Sequence, residues 1–423
     1  MNILKKYKLN SLYEMSSGIS SEPEQAGAGS PFLSYKCVFN NYFLPEKFNE
    51  KMLINDDEKK NLSIKEGDVY LTRTSETIDE LGISSVSLNN YPDTSFSGFL
   101  KRLRPIKQNK VYPKYMGFFF RSPYFRKLMY NNASLTLRAS LNENIFSYLD
   151  IYLPEYSDQI KIGDFLHLIS QKINLNIKIC NELINISKII YDYFFVQYDF
   201  PSEKNKPYKT SGEKMIINSK LNVKIPKDWE LGELGSLVDI LSGHPFKSET
   251  YTSNGKFNVL TIKNVQNHFL DISKCNQIND IPQNMNNYCK LNIGDILISL
   301  TGEVGRVCPV VVKNHLLNQR VGLIKAKKNY QDFMPYIYFL LHSEYIYKSL
   351  VNNSGGSNQD NLSTKKAVKI KFIVPSIKVM KLYNDNIRPL FETFIVKQSE
   401  NVELIKLQKI LISFFTSGKI KLN

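Results

Sequence analysis

The side chains best suited to meeting the edge of a nucleic-acid base stand in short polar blocks, each following a β-type run. In the second half of the chain, Asp295-Ile-Leu-Ile-Ser299 leads into Thr301-Gly-Glu-Val-Gly-Arg306, and Asn318-Gln-Arg320 precedes another apolar run. In the first half, Asp68-Val-Tyr-Leu-Thr72 leads into Arg73-Thr-Ser75, and Lys101-Arg-Leu-Arg104 sits near the equivalent of Asn318-Gln-Arg320. Arginine matches guanine O6 and N7, asparagine and glutamine match adenine, and nearby lysines and arginines bind phosphates. The glycines permit tight turns and close backbone approach. The residues expected to touch DNA are Arg73, Thr74, Ser75, Arg102, Arg104, Thr301, Arg306, Gln319 and Arg320. Ser17, Arg138, Ser242, Lys247, Lys263 and Gln359, on the polar turns around them, complete the set. For any single one of these, ordinary turn or strand-edge polarity is the competing explanation.

Catalytic signatures point elsewhere. The chain has no N/D-P-P-Y/F for methyl transfer to an exocyclic amine, no glycine-rich loop for S-adenosylmethionine, and no phosphate-binding loop of ATP motors. Pro92-Asp93 lacks a nuclease partner at suitable spacing, and neither H-E-x-x-H nor G-x-S-x-G occurs. The expectation is a chain that does no chemistry itself. Its five cysteines and five histidines are scattered, with no C-x-x-C pair, which argues against structural zinc and against a disulfide framework. A net charge of +15 predicts an acidic partner such as nucleic acid. No apolar run reaches membrane-spanning length, and the basic stretch from Met1 to Asn10 lacks an apolar core, so a cytoplasmic location without a membrane is expected.

The elements that must position these blocks are duplicated, with a period of roughly 221 residues. Glu182, Leu183, Ile184, Lys188, Ile189 and Phe194 recur as Glu403, Leu404, Ile405, Lys409, Ile410 and Phe415. Asn131-Asn132 recurs as Asn352-Asn353, and Pro154 as Pro375. Upstream the register drifts, so that Gly67-Asp68 matches Gly294-Asp295, and Ser17-Gly18 matches Ser242-Gly243. Each half therefore reads as a mixed α/β domain closed by a long helix, with strands at Leu149–Leu153 and Lys369–Val374 and a helical patch from Met334 to Val351.

The long helices carry heptads. In the first, Ile162, Ile169, Asn176, Leu183 and Ile190 form one column; Leu166, Ile173, Cys180, Ser187 and Phe194 form the other. In the second, the columns are Leu390, Lys397, Leu404, Leu411 and Phe394, Asn401, Gln408, Phe415. Such seams suit helix pairing, and their polar positions can fix the register. A duplicated chain tends towards a pseudo-twofold, which would pair the helices antiparallel. Helices of this length run roughly 50 Å, so the two domains are expected at opposite ends of a rod. The Pro-, Ser- and Lys-rich stretch 199–226 reads as a linker.

At this point the residues resemble a known family, the specificity (S) subunits of type I restriction–modification systems, over essentially the whole chain. Ile225-Pro-Lys-Asp-Trp-Glu-Leu-Gly-Glu-Leu234 looks like the family's lead-in to a target-recognition domain. Leu241-Ser-Gly-His-Pro-Phe246, Gly294-Asp-Ile-Leu-Ile298, Thr301-Gly-Glu-Val-Gly305 and Asn318-Gln-Arg320 continue it. Met15-Ser-Ser-Gly18 and Gly29-Ser-Pro-Phe32 are similar to a first-domain variant, and Tyr191 to Pro201 looks like the central conserved segment.

The resemblance implies an α/β (mixed α+β) fold: two tandem target-recognition domains separated by two long helices that pair as an antiparallel coiled coil with a pseudo-twofold. The expected organisation is a first recognition domain at 1–160, a central helix at 161–198, a linker at 199–226, a second recognition domain at 227–377 and a C-terminal helix at 378–418. The implied role is a DNA-binding specificity subunit that reads a bipartite target and docks two methyltransferase (M) subunits and, in the full complex, restriction (R) subunits. S-adenosylmethionine, ATP and Mg belong to those partners, not to this chain. The alternatives are a specificity subunit of another DNA-modification or phage-defence complex, or a DNA-binding scaffold without a restriction partner. The two half-sites are expected to differ, because Thr72-Arg-Thr-Ser75 stands where the second half has Thr-Gly-Glu-Val-Gly.

Overall fold

The computed structural model describes residues 4–20, 23–75, 80–132, 134–135, 139–140, 143–219, 222–355 and 361–419. Two compact units emerge: residues 1–173 with 404–423, and residues 174–403.

In the first unit a four-stranded antiparallel sheet runs in the order Tyr13–Ser17, Leu100–Pro105, Val69–Thr72, Ser84–Val86. Its central strand Val69–Thr72 is buried on both faces, the mark of a sheet covered on both sides. Val69 and Leu71 join one core with Phe118, Phe119, Phe120 and Phe125, while Tyr70 turns to a second core with Leu33, Phe96 and Leu100. A smaller sheet, Glu50–Met52, Ala26–Leu33, Ser95–Phe96, contains one parallel pair. Lys5–Lys8 pairs with Asp150–Leu153 at the foot of the long helix.

The second unit repeats this plan. Its four-stranded sheet runs Val238–Ser242, Val321–Ala326, Ile296–Ser299, Val307–Pro309. Ile296 and Ile298 face the helical core; Leu297 faces the other. The smaller sheet, Asn276–Ile278, Phe257–Leu260, His315–Leu317, Lys290–Leu291, has its parallel pair in the same place. Glu230–Glu233 pairs with Lys371–Val374. Even the turns agree. Gly67 and Gly294 both take left-handed φ values, 86° and 94°, and donate to Ser87 O and Val310 O. The helical patch divides into Met334–His342 and Glu344–Asn352, the second capped by Ser343.

The long helices are Tyr156–Tyr191 and Ile377–Thr416. The unit boundary falls inside the first and near the end of the second. Within the second unit, Asn176 Nδ2 donates to Asn401 Oδ1 at 3.0 Å, Cys180 faces the Phe394 carbonyl, and Tyr383 Oη donates to Ser187 O at 3.1 Å. Rising numbers on one helix meet falling numbers on the other, so the pair is antiparallel. Within the first unit, Gln408 Nε2 bonds Ser170 Oγ at 2.7 Å, and Ile162 and Leu166 share a core with Ile412 and Phe415. The polar heptad positions thus meet one another, as register-setting layers do.

One expectation shifts. The Phe394, Asn401, Gln408 and Phe415 column is buried, but its companion column is Phe391, Gln398 and Ile412, with Leu390, Lys397 and Leu411 only half-buried beside it. Within the stretch read as a linker, Met215–Asn218 and Val223–Pro226 form a hairpin. Just before the hairpin, Phe200 stacks between Tyr208 and Trp229, with ring centroids 4.6 and 5.3 Å away. Among the described residues, no helix is long and apolar enough to cross a membrane.

Candidate nucleic-acid interface

In the second unit, strand Ile296–Ser299 feeds the Thr301-Gly-Glu-Val-Gly305 loop, and a hydroxyl clasps its two ends. Ser299 Oγ donates to Glu303 O at 2.5 Å and accepts from Arg306 N at 3.0 Å. Gly302 and Gly305 supply the left-handed turns, with φ of 74° and 83°. Val304 is buried, so the loop folds back on the domain and leaves Thr301 at its base.

The next loop is tied down from two sides. Gln319 N donates to His244 O at 3.0 Å, and Arg320 N donates to Asn318 Oδ1 at 3.2 Å. Arg320 O then accepts from Leu300 N, joining the two loops. With their backbones fixed, Gln319 and Arg320 hold their side chains in solvent. Thr301, Gln319, Arg320 and Asn361 line an open cleft of about 410 Å³. Three of these four are sequence candidates. Asn361 is not among them. It pairs with Thr301 through a β-bridge and a side-chain bond of 3.3 Å.

The other second-unit candidates lie apart from that cleft. Ser242 is exposed at its strand end, and its carbonyl accepts from Tyr288 Oη at 2.9 Å. Lys247 and Lys263 are exposed on loops. Arg306 forms an ion pair with Glu303 of its own loop.

The first unit builds the same frame. Thr72 Oγ1 donates to Glu80 O at 2.6 Å and accepts from Ile83 N at 2.9 Å, and Gly82 (φ 67°) stands where Gly305 does. Arg73 N donates to Phe99 O at 2.8 Å, as Leu300 N does to Arg320 O. The parallel bridge Ile19–Ser97 matches His244–Asn318. The strand register completes the correspondence, since Ser17 pairs with Lys101 as Ser242 pairs with Gly322.

This corrects one expectation. The counterpart of Asn318-Gln-Arg320 is Ser97-Gly98-Phe99, and Lys101 to Arg104 belong to the strand after it. Arg102, only 7% exposed, donates to Ser16 Oγ and Asn61 O and lies 5.3 Å over the Phe96 ring. Arg104 grips Asp68 with two bonds of 2.8 and 2.6 Å and donates to Ser63 O. That ion pair holds the Arg104 guanidinium above its ordinary pKa. Both arginines are drawn to the C-terminal carbonyls of helix Asp56–Leu62, where the helix dipole favours cations. They are not presented at a loop tip.

Of the remaining first-unit candidates, Ser17 accepts from Lys101 Nζ at 2.7 Å, and Arg73 is exposed. Thr74 and Ser75 form a short strand that pairs with Ser140 and Ala139. That pairing is the counterpart of Thr301 with Asn361. Arg138 and Gln359 lie outside the described residues.

Two histidines of the second unit form a buried pair against Val307. The rings of His268 and His342 stack at 3.9 Å, and burial pushes their pKa values down to about 3 and about 4. Among the described residues, no group of three or more His, Cys, Asp or Glu could hold a metal ion.

Comparisons with known proteins converge. Residues 226–404 match the family described as the type I restriction modification DNA specificity domain. The type I restriction enzyme MjaVIII specificity subunit of Methanocaldococcus jannaschii is 27% identical over 300 residues, covering 66% of this chain. The match spans 64% of that relative's own length, a little under two thirds. The MjaIX specificity subunit of the same organism is 22% identical over 344 residues, 80% of this chain and 76% of that one. A crystal structure of a type I restriction–modification S subunit from M. genitalium superposes with a TM-score of 0.60 at 13% identity, covering 98% of this chain and 96% of the other. That likeness concerns the fold.

Proposed function

We propose that the chain is a specificity subunit of a type I restriction–modification system, as its matches suggest, and that each of its two units reads one half of a bipartite DNA target. The observation that carries this reading is the cleft of Thr301, Gln319, Arg320 and Asn361, built on a frame that recurs in the first unit. Its side chains suit base edges: Arg320 the O6 and N7 of guanine, and Gln319 or Asn361 an adenine. The exposed Arg73, Lys247 and Lys263, with the net charge of +15, suit phosphate contact and electrostatic steering.

In this reading the chain does no chemistry itself. Two methyltransferase subunits dock on it and carry the S-adenosylmethionine and the adenine-N6 methyl transfer, and restriction subunits with their ATP and Mg complete the complex in the cytoplasm. The two long helices set the gap between half-sites. Tethering two modest readers raises the affinity of the whole through effective concentration.

The test is to co-express the chain with its methyltransferase partner in a methylation-free host and map N6-methyladenine by long-read sequencing. A single bipartite motif with a fixed gap, lost when this chain is omitted, is the expected result. An assembled complex that adds no methylation would overturn the reading. Exchanging residues 1–160 for those of another specificity subunit should change one half-site and leave the other intact. Arg320→Ala should relax one position of the second half-site by about 5- to 150-fold, the worth of one bidentate base contact. An unchanged motif in that variant would remove Arg320 from the reading set.

A further inference from the structure

The structural correspondence between the units puts Phe99 where the second unit has Arg320. We propose that Phe99 is a base-reading residue of the first unit and that it recognises the C5-methyl group of a thymine in the major groove. This inference rests on the reading of the chain as a two-site DNA reader.

Phe99 is 63% exposed, whereas its neighbours Phe96 and Leu100 are fully buried. An aromatic side chain so placed would ordinarily reflect a loose loop, but this loop is clamped. Phe99 O accepts from Arg73 N at 2.8 Å, Phe99 N donates to Ser97 Oγ at 3.2 Å, and Gly98 N donates to Ile19 O at 2.7 Å. A Cβ on Gly98 would stand 2.8 Å from Ile19 O, so the backbone is held close against its neighbour. The frame that holds the Arg320 side chain outward therefore holds a phenyl ring outward here.

The chemistry of the ring narrows what it can meet. A phenyl group neither donates nor accepts a hydrogen bond, so it cannot read guanine or adenine as Arg320 or Gln319 would. The apolar feature that a base pair displays in the major groove is the thymine methyl. The exposed Arg73, whose Nη1 lies 3.5 Å from Gly98 O, stands beside the ring and suits the adjoining phosphate. The difference between the two half-sites then has a physical source: equivalent loops carry a cation in one unit and a hydrocarbon in the other.

Deoxyuridine pairs like thymidine but lacks the methyl. With the motif known, the complex of this chain with its methyltransferase partner is titrated by fluorescence anisotropy against duplexes in which each thymine of the first half-site is singly replaced by deoxyuridine. One replacement should weaken wild-type binding about fourfold, the worth of one buried methyl group. The same replacement should have no effect on Phe99→Ala, whose melting temperature stays unchanged because the side chain is exposed. Phe99→Arg should move that position towards guanine while the second half-site stays as it was. A flat deoxyuridine series in the wild type, or an effect that survives in Phe99→Ala, overturns the inference and leaves the two-site reading standing. A wild-type complex with no sequence preference overturns both.

Discussion

Asp68→Ala should destabilise the first unit by about 3 kcal/mol, the lower part of the range for breaking a buried ion pair. The carboxylate is fully buried and accepts from Arg104 Nε, Arg104 Nη2 and Lys65 N at 2.8, 2.6 and 2.8 Å. Alanine removes both carboxylate oxygens at once and leaves the Arg104 guanidinium without its counter-ion, with only the Ser63 carbonyl still accepting from it. The Arg104 side chain is a quarter exposed, so water recovers part of the loss, which places the estimate low in the range. The second unit supplies the control. Asp295 occupies the same turn and accepts from Asn292 N at 2.7 Å, but the counterpart of Arg104 is the exposed Lys325. Asp295→Ala should cost about 1 kcal/mol, the worth of one hydrogen bond. Hydrogen exchange of the intact chain separates the two, with protection falling in residues 1–173 for Asp68→Ala and far less in 174–403 for Asp295→Ala. Equal losses would mean that the arginine is not what makes Asp68 important.

Acidification should unfold the second unit before the first. His268 and His342 stack face to face, with Tyr338 Oη 2.7 Å from His268 Nδ1 and the carbonyls of Tyr338 and Val307 near the two nitrogens of His342. Burial depresses both pKa values, and the Lys188 charge pushes in the same direction. Histidine in an unfolded chain titrates near 6.5. Below that pH the unfolded chain takes up protons that the folded pair refuses, so stability is full at neutral pH and falls as the pH drops from about 6.5 to about 3. Two strongly shifted groups make the loss on the order of a few kcal/mol.

In the first unit the place of His342 is taken by Arg121, which bonds the carbonyls of Ser84, Val38, Phe39 and Asn41. Burial lowers its pKa only to about 10, so its charge does not change in this window. His167 of the first unit is shifted in the same direction as the histidine pair but is only half-buried. Thermal unfolding of wild type and His268→Phe/His342→Gln at pH 7.5 and 5.0 decides the matter. The double variant should show a much smaller drop, and an identical drop in both proteins would sink the assignment.

The repeat and the long helices were legible because they rest on periodic apolar residues. Every buried side chain of the first seam from Ile162 to Ser187 was on the expected heptads. The second seam was half right for a physical reason. Leu390 and Phe391 are adjacent and both apolar, and apolar character alone does not say which of two neighbours faces the partner. Gln398, at 9% exposure, is buried ahead of Lys397 because its amide reaches the His268 carbonyl at 2.7 Å, a partner more than a hundred residues away in sequence. The site shows the same limit. Thr301, Gln319 and Arg320 could be placed on neighbouring loops because glycines and strand ends mark loops. Arg102 and Arg104 were misplaced because their partners, Asp68 and the end of helix Asp56–Leu62, come from other elements. Phe99 went unnoticed because a lone aromatic beside a strand reads as core.

The hydroxyl clasp at the base of these loops has an evolutionary corollary. Thr72 and Ser299 each tie together the ends of a segment, 72–83 in one unit and 299–306 in the other, the first being four residues longer. Because the closing bonds lie at the base, the extra length enters only through chain entropy, which grows with the logarithm of loop size and here costs about 0.4 kcal/mol. Insertions and deletions that spare the buried Leu81 and Val304 are thus nearly neutral for folding while they change what the tip presents. A lineage could drift through many loop lengths and compositions on an unaltered scaffold, changing the surface these loops present without first acquiring compensating mutations in the core.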